Sequence, residues 1–304
     1  MKTPLLRQFQ ESAVSTDLSD SDPTVERAIK IVEEIESVHF SGRVLPVNEM
    51  QRAQNAVDRL IAFTYQNPSL QNALRSGQKL SPLEADAHGA MALCGLRGIG
   101  RMQGSLQTVS QLANIASTHN SPVGHYVMGL LNMELFNPPR YEEACGFFER
   151  AAETGHAGAE YRLALLHLGG MIRKADPQEG VGYLKLAEEK QYPKALHLIG
   201  DHNLAGGVYS PWPDYRQAFS YLSAAGKMGY APAQHHLARL YRNGLGTERD
   251  CFKAMEYYSA AMKQGINDHD IGDELSNLLS DLMPNAGRSG VPPLASMSLI
   301  RTLH

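Results

Sequence analysis

"GYAPAQHHLARLYRNGLG" (229–246) reads as one helix followed by a stop. Ala233, Leu237, Ala238, Tyr241, Gly244 and Gly246 stand at offsets 0, +4, +5, +8, +11 and +13. At about 100° per residue, positions 0, +4, +8 and +11 share one face, so the segment is an amphipathic helix. Small residues at 0 and +5 let a neighbouring helix approach closely. A glycine near +11 can take positive φ and end the helix.

The template recurs along the chain. Starting at Ala195 it meets Ile199, Gly200 and Gly206; from Ala159 it meets Leu163, Ala164 and Gly170. Gly124 leads to Met128 and Gly129, and Ala87 to Met91, Ala92, Gly95, Gly98 and Gly100. Successive starts are 37, 35, 36 and 38 residues apart. A second half keeps the same phase: Phe147–Phe148, Tyr183–Leu184, Tyr221–Leu222 and Tyr257–Tyr258, then Ala151, Ala187, Ala225 and Ala261. Gly155, Gln191, Gly229 and Gly265 close these halves, while Asp176, Asp214 and Asp250 sit where a carboxylate can cap the second helix. A period near 36 over five units is the mark of stacked helix hairpins, none of which can bury its apolar stripe alone.

The recurrence also decides how "ALCGLRGIG" (92–100) is read. It looks like a dinucleotide loop, but the glycine spacing is wrong and "SPLEADAHGAMALC" before it reads as helix, where a phosphate loop needs a strand. Helix termination accounts for the same glycines.

The stretch "APAQHHLARLYRNGLGTERDCFKAMEYYSAAMKQG" (231–265) closely resembles the Sel-one-like repeat family, a relative of the tetratricopeptide repeat. The resemblance covers roughly 81–266. It departs most at 124–155, where "NMELFNPPRY" has no Gly-x-Gly, and at 195–229, where "GGVYSPWPDY" carries two extra residues. It implies an all-α, right-handed solenoid of about five helix-turn-helix repeats that binds other proteins as adaptor or scaffold. Some relatives are secreted with a disulfide in every repeat. This chain has three widely spaced cysteines, Cys94, Cys145 and Cys251, which read as free thiols of a reducing compartment.

Outside the repeats, the reading assigns 1–21 to a flexible N-terminus, 22–80 to capping helices, 81–266 to the solenoid, 267–283 to a closing helix and 284–304 to a flexible tail. "SPLE" (81–84) has the spacing of a capping box. The first twenty residues lack an apolar run long enough for a signal peptide, and no window suits a membrane span. A cytoplasmic protein is expected, of bacterial origin. The net charge of −4, without long runs of one sign, argues against nucleic acid as partner.

His156, His167, His197, His202, His235 and His236 are the obvious metal candidates. His197 and His235 occupy equal offsets in successive repeats, but solvated or peptide-binding histidines are the expectation, and neither metal nor cofactor is assigned. No catalytic triad has local support either. In tetratricopeptide-like solenoids the first helices line a concave groove, and offsets +2, +6 and +9 point away from the packed stripe. These are Tyr126, Leu130 and Met133; Tyr161, Leu165 and Leu168; His197, Asp201 and Leu204; His235, Arg239 and Arg242. The groove is then apolar in its first half and basic in its last, suited to a peptide or protein with an apolar segment and an acidic end. The alternative is that these side chains pack on adjacent repeats or on the N-terminal helices. Trp212, in "SPWPD", is a possible loop contact, with packing on a neighbouring turn the favoured placement. The function expected is a non-catalytic adaptor or regulatory scaffold. Two alternatives are a secretion-associated effector or cognate inhibitor, and a hydrolase of a cell-wall-like ligand.

Overall fold

The computed structural model describes residues 23–38, 45–102, 105–206, 211–266 and 269–282; the expected flexible ends, 1–21 and 284–304, lie outside them. Among the described residues there are α-helices and one short 3₁₀ turn, and no strand. In chain order the helices are α1 (Pro23–Ser37), α2 (Val47–Tyr65), α3 (Pro68–Ser76), α4 (Pro82–Arg97), α5 (Leu106–Thr118), α6 (Pro122–Glu134) and α7 (Tyr141–Ala152). They continue as α8 (Ala157–Leu168), α9 (Pro177–Glu189), α10 (Pro193–Ala205), α11 (Tyr215–Lys227), α12 (Ala231–Asn243), α13 (Cys251–Lys263) and α14 (His269–Leu282). From α4 to α9, and again from α11 to α14, neighbours pack in series as hairpins, which is the α-solenoid arrangement. The described residues divide into two compact units, one up to Ala195 and one from Leu196, a division inside the stretch that the sequence reads as continuous.

Within a hairpin the contact is small against large. A Cβ on Gly129 would lie 2.4 Å from the Phe148 ring, and one on Gly200 would lie 2.7 Å from Leu222 Cγ. Both glycines stand at offset +5, and both partners are the second member of the apolar pair on the second helix. The other +5 residues, Ala92, Ala164 and Ala238, are fully buried, as are Phe148, Leu184, Leu222 and Tyr258.

The terminators behave as their chemistry requires. Gly98 and Gly244 cap α4 and α12 in the left-handed conformation, φ +67° and +66°. The second glycine of each Gly-x-Gly is also left-handed, and it allows close approach: a Cβ on Gly246 would overlap the Tyr215 carbonyl. Gly155, Gly229 and Gly265 are left-handed at the ends of second helices, and Gln191 adopts the same sign, φ +55°. Ser81 and Glu84 form the capping box, and Asp176, Asp214 and Asp250 each accept from a backbone N–H of the helix they begin.

In three of the four hairpins from α6 onward, one backbone tie spans the turn between the helices. The N–H of the residue opening the second helix donates back to position +8 of the first. Arg140 donates to Asn132 O (3.0 Å), Asp214 to Asn203 O (2.8 Å) and Asp250 to Tyr241 O (2.9 Å). In the remaining repeat Asp176 donates to the His167 ring, Nδ1, at 3.2 Å. The hairpin without Gly-x-Gly and the one with two extra residues therefore close the same way.

Two substitutions separate packing from backbone conformation. Ala238→Leu should cost about 1–3 kcal/mol by overpacking a fully buried position. Gly229→Ala meets no atom within 4 Å, so its expected cost of about 1–2 kcal/mol comes from the left-handed backbone alone. Urea denaturation measures both; a melting behaviour unchanged in Ala238→Leu would contradict the small-against-large contact.

Candidate functional site

The first unit shows what its first-helix face is for. Tyr126 and Leu130, read from sequence as groove residues, are fully buried, and Met133 packs against the same core. That reading is corrected for these two positions. α1 packs on α4, and its Val25, Ala28, Ile29, Val32 and Ile35 share one apolar cluster with Tyr126 and Leu130. An amphipathic helix with an apolar stripe thus covers the surface left for a partner.

α1 also brings a carboxylate. Glu36, 3% exposed, accepts from Tyr126 Oη at 2.9 Å and from Tyr192 Oη at 3.2 Å. Lys194 Nζ donates to its Oε1 at 3.0 Å and to its backbone oxygen at 2.8 Å. Burial alone would raise the Glu36 pKa, but the Lys194 ammonium, backed by Arg97 and Arg162, overrides it and holds the carboxyl at about 2. Beside this group Arg97 grips Glu134 with two hydrogen bonds of 2.9 Å, and Arg162 reaches the same carboxylate at 3.8 Å. Tyr161 is half-buried with its ring 5.6 Å from Tyr192, and Leu165 and Leu168 are half-buried.

A cleft of about 560 Å³ opens beside α1, lined among others by Glu33, Asp86 and His156. His156 caps α8 by accepting from the Ala159 N–H through Nδ1, and burial lowers its pKa to about 4. Desolvation, then the nearby Asp86 carboxylate, raises Glu33 to about 7.

The second unit repeats the device from the other end of the chain. Glu274 of α14 bonds Tyr258 Oη and lies 3.2 Å from Arg242 and 3.9 Å from Arg239. The basic residues expected to receive a partner's acid already face one of the chain's own. Arg239 nevertheless keeps its side chain 56% exposed. It borders a cleft of about 370 Å³ with Asp201, Leu204, Tyr215, His236 and Leu245. Trp212 is 77% exposed, which corrects the expected packing on a neighbouring turn.

The histidines meet in a different pairing from the one that equal offsets suggested. Parallel helices point equal offsets in parallel directions, so contacts form between the leading flank of one helix and the trailing flank of the next. His197 (+2) and Asp201 (+6) of α10 therefore meet His236 (+3) of α12. His236 Nδ1 lies 2.5 Å from Asp201 Oδ1, and His197 Nε2 lies 3.4 Å from Asp201 Oδ2. The His197 and His236 rings stack with centroids 5.1 Å apart. Burial brings the His197 pKa down to about 4, which keeps this imidazole neutral. His235 turns instead toward Tyr258, with ring centroids 5.8 Å apart. Cys94 and Cys145 are buried free thiols and Cys251 is half-buried.

The Glu36 cluster has a pH signature. Its folded pKa of about 2 lies below the ordinary 4.5, so its stabilisation is present above pH 4.5 and is lost as pH falls toward 2. Glu36→Gln, which leaves Lys194 buried without its anion, should cost about 3–5 kcal/mol at neutral pH. The gap between the variant and the unaltered chain should close over that acid window in urea titrations. A gap independent of pH would show that the pocket does not depend on the charge.

A model of the Sel1 repeat matches residues 122–156, 157–192, 193–230 and 231–266. The chain is 29% identical over 166 residues to chitin synthase regulatory factor 2 of Schizosaccharomyces pombe, covering 51% of this chain and 32% of that protein. It is 33% identical over 131 residues to chitin synthase regulator SKT5 of Malassezia restricta, covering 41% of this chain and 9% of the relative. For SKT5 of Saccharomyces cerevisiae the figures are 20% over 260 residues, 71% and 37%. The chain thus spans well under half the length of these relatives, all of them fungal, so they lend no support to the expected bacterial origin. Among solved structures it is similar to a Sel1 repeat protein from Oxalobacter formigenes, with TM-score 0.53, 18% identity, and 86% of this chain and 91% of that one covered. It is also similar to c5321 of uropathogenic Escherichia coli, with TM-score 0.52, 16% identity, and coverage of 85% and 56%. At such identities the likeness shows the fold. Repeat period, hairpin packing and matched segments converge on a helical-repeat protein that carries four Sel1 repeats, running from 122 to 266.

Proposed function

We propose that this chain is a non-catalytic regulatory adaptor that acts on chitin synthesis, docking a segment of a partner protein on the first-helix face of its second unit. The repeat fold and relatives named as chitin synthase regulators support the regulatory class. The observation that carries the docking surface is the cleft beside Arg239. Leu204, Leu240 and Leu245 give it an apolar wall, Tyr215 is 39% exposed at its edge, and Arg239 offers a half-exposed guanidinium. That combination suits a short segment pairing an apolar side chain with a carboxylate. Tyr161, Leu165 and Leu168, half-buried in the first unit, are secondary contacts in this reading, and Trp212 is a loop contact. The N-terminal helices and α14 act as caps that fill the remaining first-helix surface.

The test is co-purification with the host's chitin synthase, alongside synthase activity in membranes from cells lacking the chain. Loss of the chain should lower that activity. Leu204→Glu should weaken capture by about tenfold, mainly through faster dissociation. Arg239→Glu should slow association, with an effect that shrinks as salt rises. Both variants should keep the helical circular dichroism of the unaltered chain. Unchanged synthase activity without the chain rejects the chitin assignment. Full capture by both variants, with loss in the second-helix variant Glu256→Arg, rejects the docking face.

A further inference from the structure

We propose that His197, Asp201 and His236 form a binding site for a divalent transition-metal ion of the zinc class, open to the cleft of the second unit. Each residue offers one ligand atom, and the three atoms lie within 4.8 Å of one another. Two imidazoles and a carboxylate are a donor set suited to such ions. His197 and Asp201 are one turn apart on α10, which puts both on one face. α12 supplies the third donor from the adjacent repeat.

One spacing in the set is that of two ligands around a common centre. Donors bound at about 2.0–2.1 Å in a tetrahedral set stand about 3.3 Å apart. His197 Nε2 and Asp201 Oδ2 are separated by 3.4 Å, close to that value. The hydrogen bond between His236 and Asp201 Oδ1 satisfies one imidazole but not the other. His197 Nε2 is buried and has no hydrogen-bond partner among the described residues, although it faces a carboxylate oxygen. A buried polar atom left in that state is costly. An ion that takes one donor atom from each of the three residues gives His197 Nε2 a partner. His197 is held for the task by the edge of Tyr230, its ring 5.2 Å away at 77°.

The set is incomplete in a useful direction. Asp201 and His236 both line the cleft of about 370 Å³, so the remaining coordination positions face solvent. A water molecule can fill them, as can a carboxylate or imidazole from whatever occupies the cleft. The site rests on the donor geometry and not on the adaptor reading.

The experiment is competition for Zn²⁺ between the chelator-stripped full chain and a chromogenic chelator. The unaltered chain should bind one ion with a micromolar or tighter dissociation constant. Asp201→Asn and His236→Gln, which keep shape and hydrogen bonding, should each weaken binding by at least about tenfold while circular dichroism stays unchanged. His119→Gln, in the first unit, should bind as the unaltered chain does. Co²⁺ added to the unaltered chain should shift the ring resonances of two histidines. Failure of the unaltered chain to compete, or normal binding by either Asp201→Asn or His236→Gln, overturns the site. Because the assay contains no partner, its failure leaves the docking reading standing.

Discussion

The two helices of a hairpin approach closely where a residue without a side chain, or with only a methyl, meets a large apolar one. Gly129 under Phe148 and Gly200 under Leu222 leave no space for another carbon. A large side chain at +5 would separate the helices and strip the buried alanines of their partners. The rest of the repeat follows from that contact. The stripe at 0, +4 and +8 is buried because the helices are close, and the helices must stop where they do because the next hairpin has to stack on the last.

The terminal helices add a second constraint. A first-helix face that presents tyrosine, leucine and cations cannot stay bare at small cost, and in each unit the chain supplies its own cover. Glu36 of α1 sits among Tyr126, Tyr192 and Lys194, and Glu274 of α14 sits among Tyr258, Arg239 and Arg242. The sequence expectation of an apolar segment with an acid describes these intramolecular partners well. What differs is who brings them.

The periodic part of the structure was legible in the sequence because each repeat states the same local physics again. Left-handed glycines, the aspartate caps and the small +5 residues sit where spacing put them. Tyr126 and Leu130 were misread because helical phase says which way a side chain points and not what lies there. Nothing local links Glu36 to Lys194, 158 residues away. His236 was named as a candidate but not paired with His197, for a related reason: equal offsets in parallel helices do not touch, so repeat alignment alone selects the wrong neighbour. The residues at +3 carry the signal that could have found it.

The tie from the opening residue of a second helix to position +8 of the first separates loop length from hairpin geometry. Asn132 to Arg140 and Asn203 to Asp214 enclose different numbers of residues, yet both close on one backbone hydrogen bond of nearly the same length. Between the second pair of anchor points stands Trp212, which is exposed. The inter-helix turns are therefore the places where this architecture can gain or lose recognition elements without renegotiating its core.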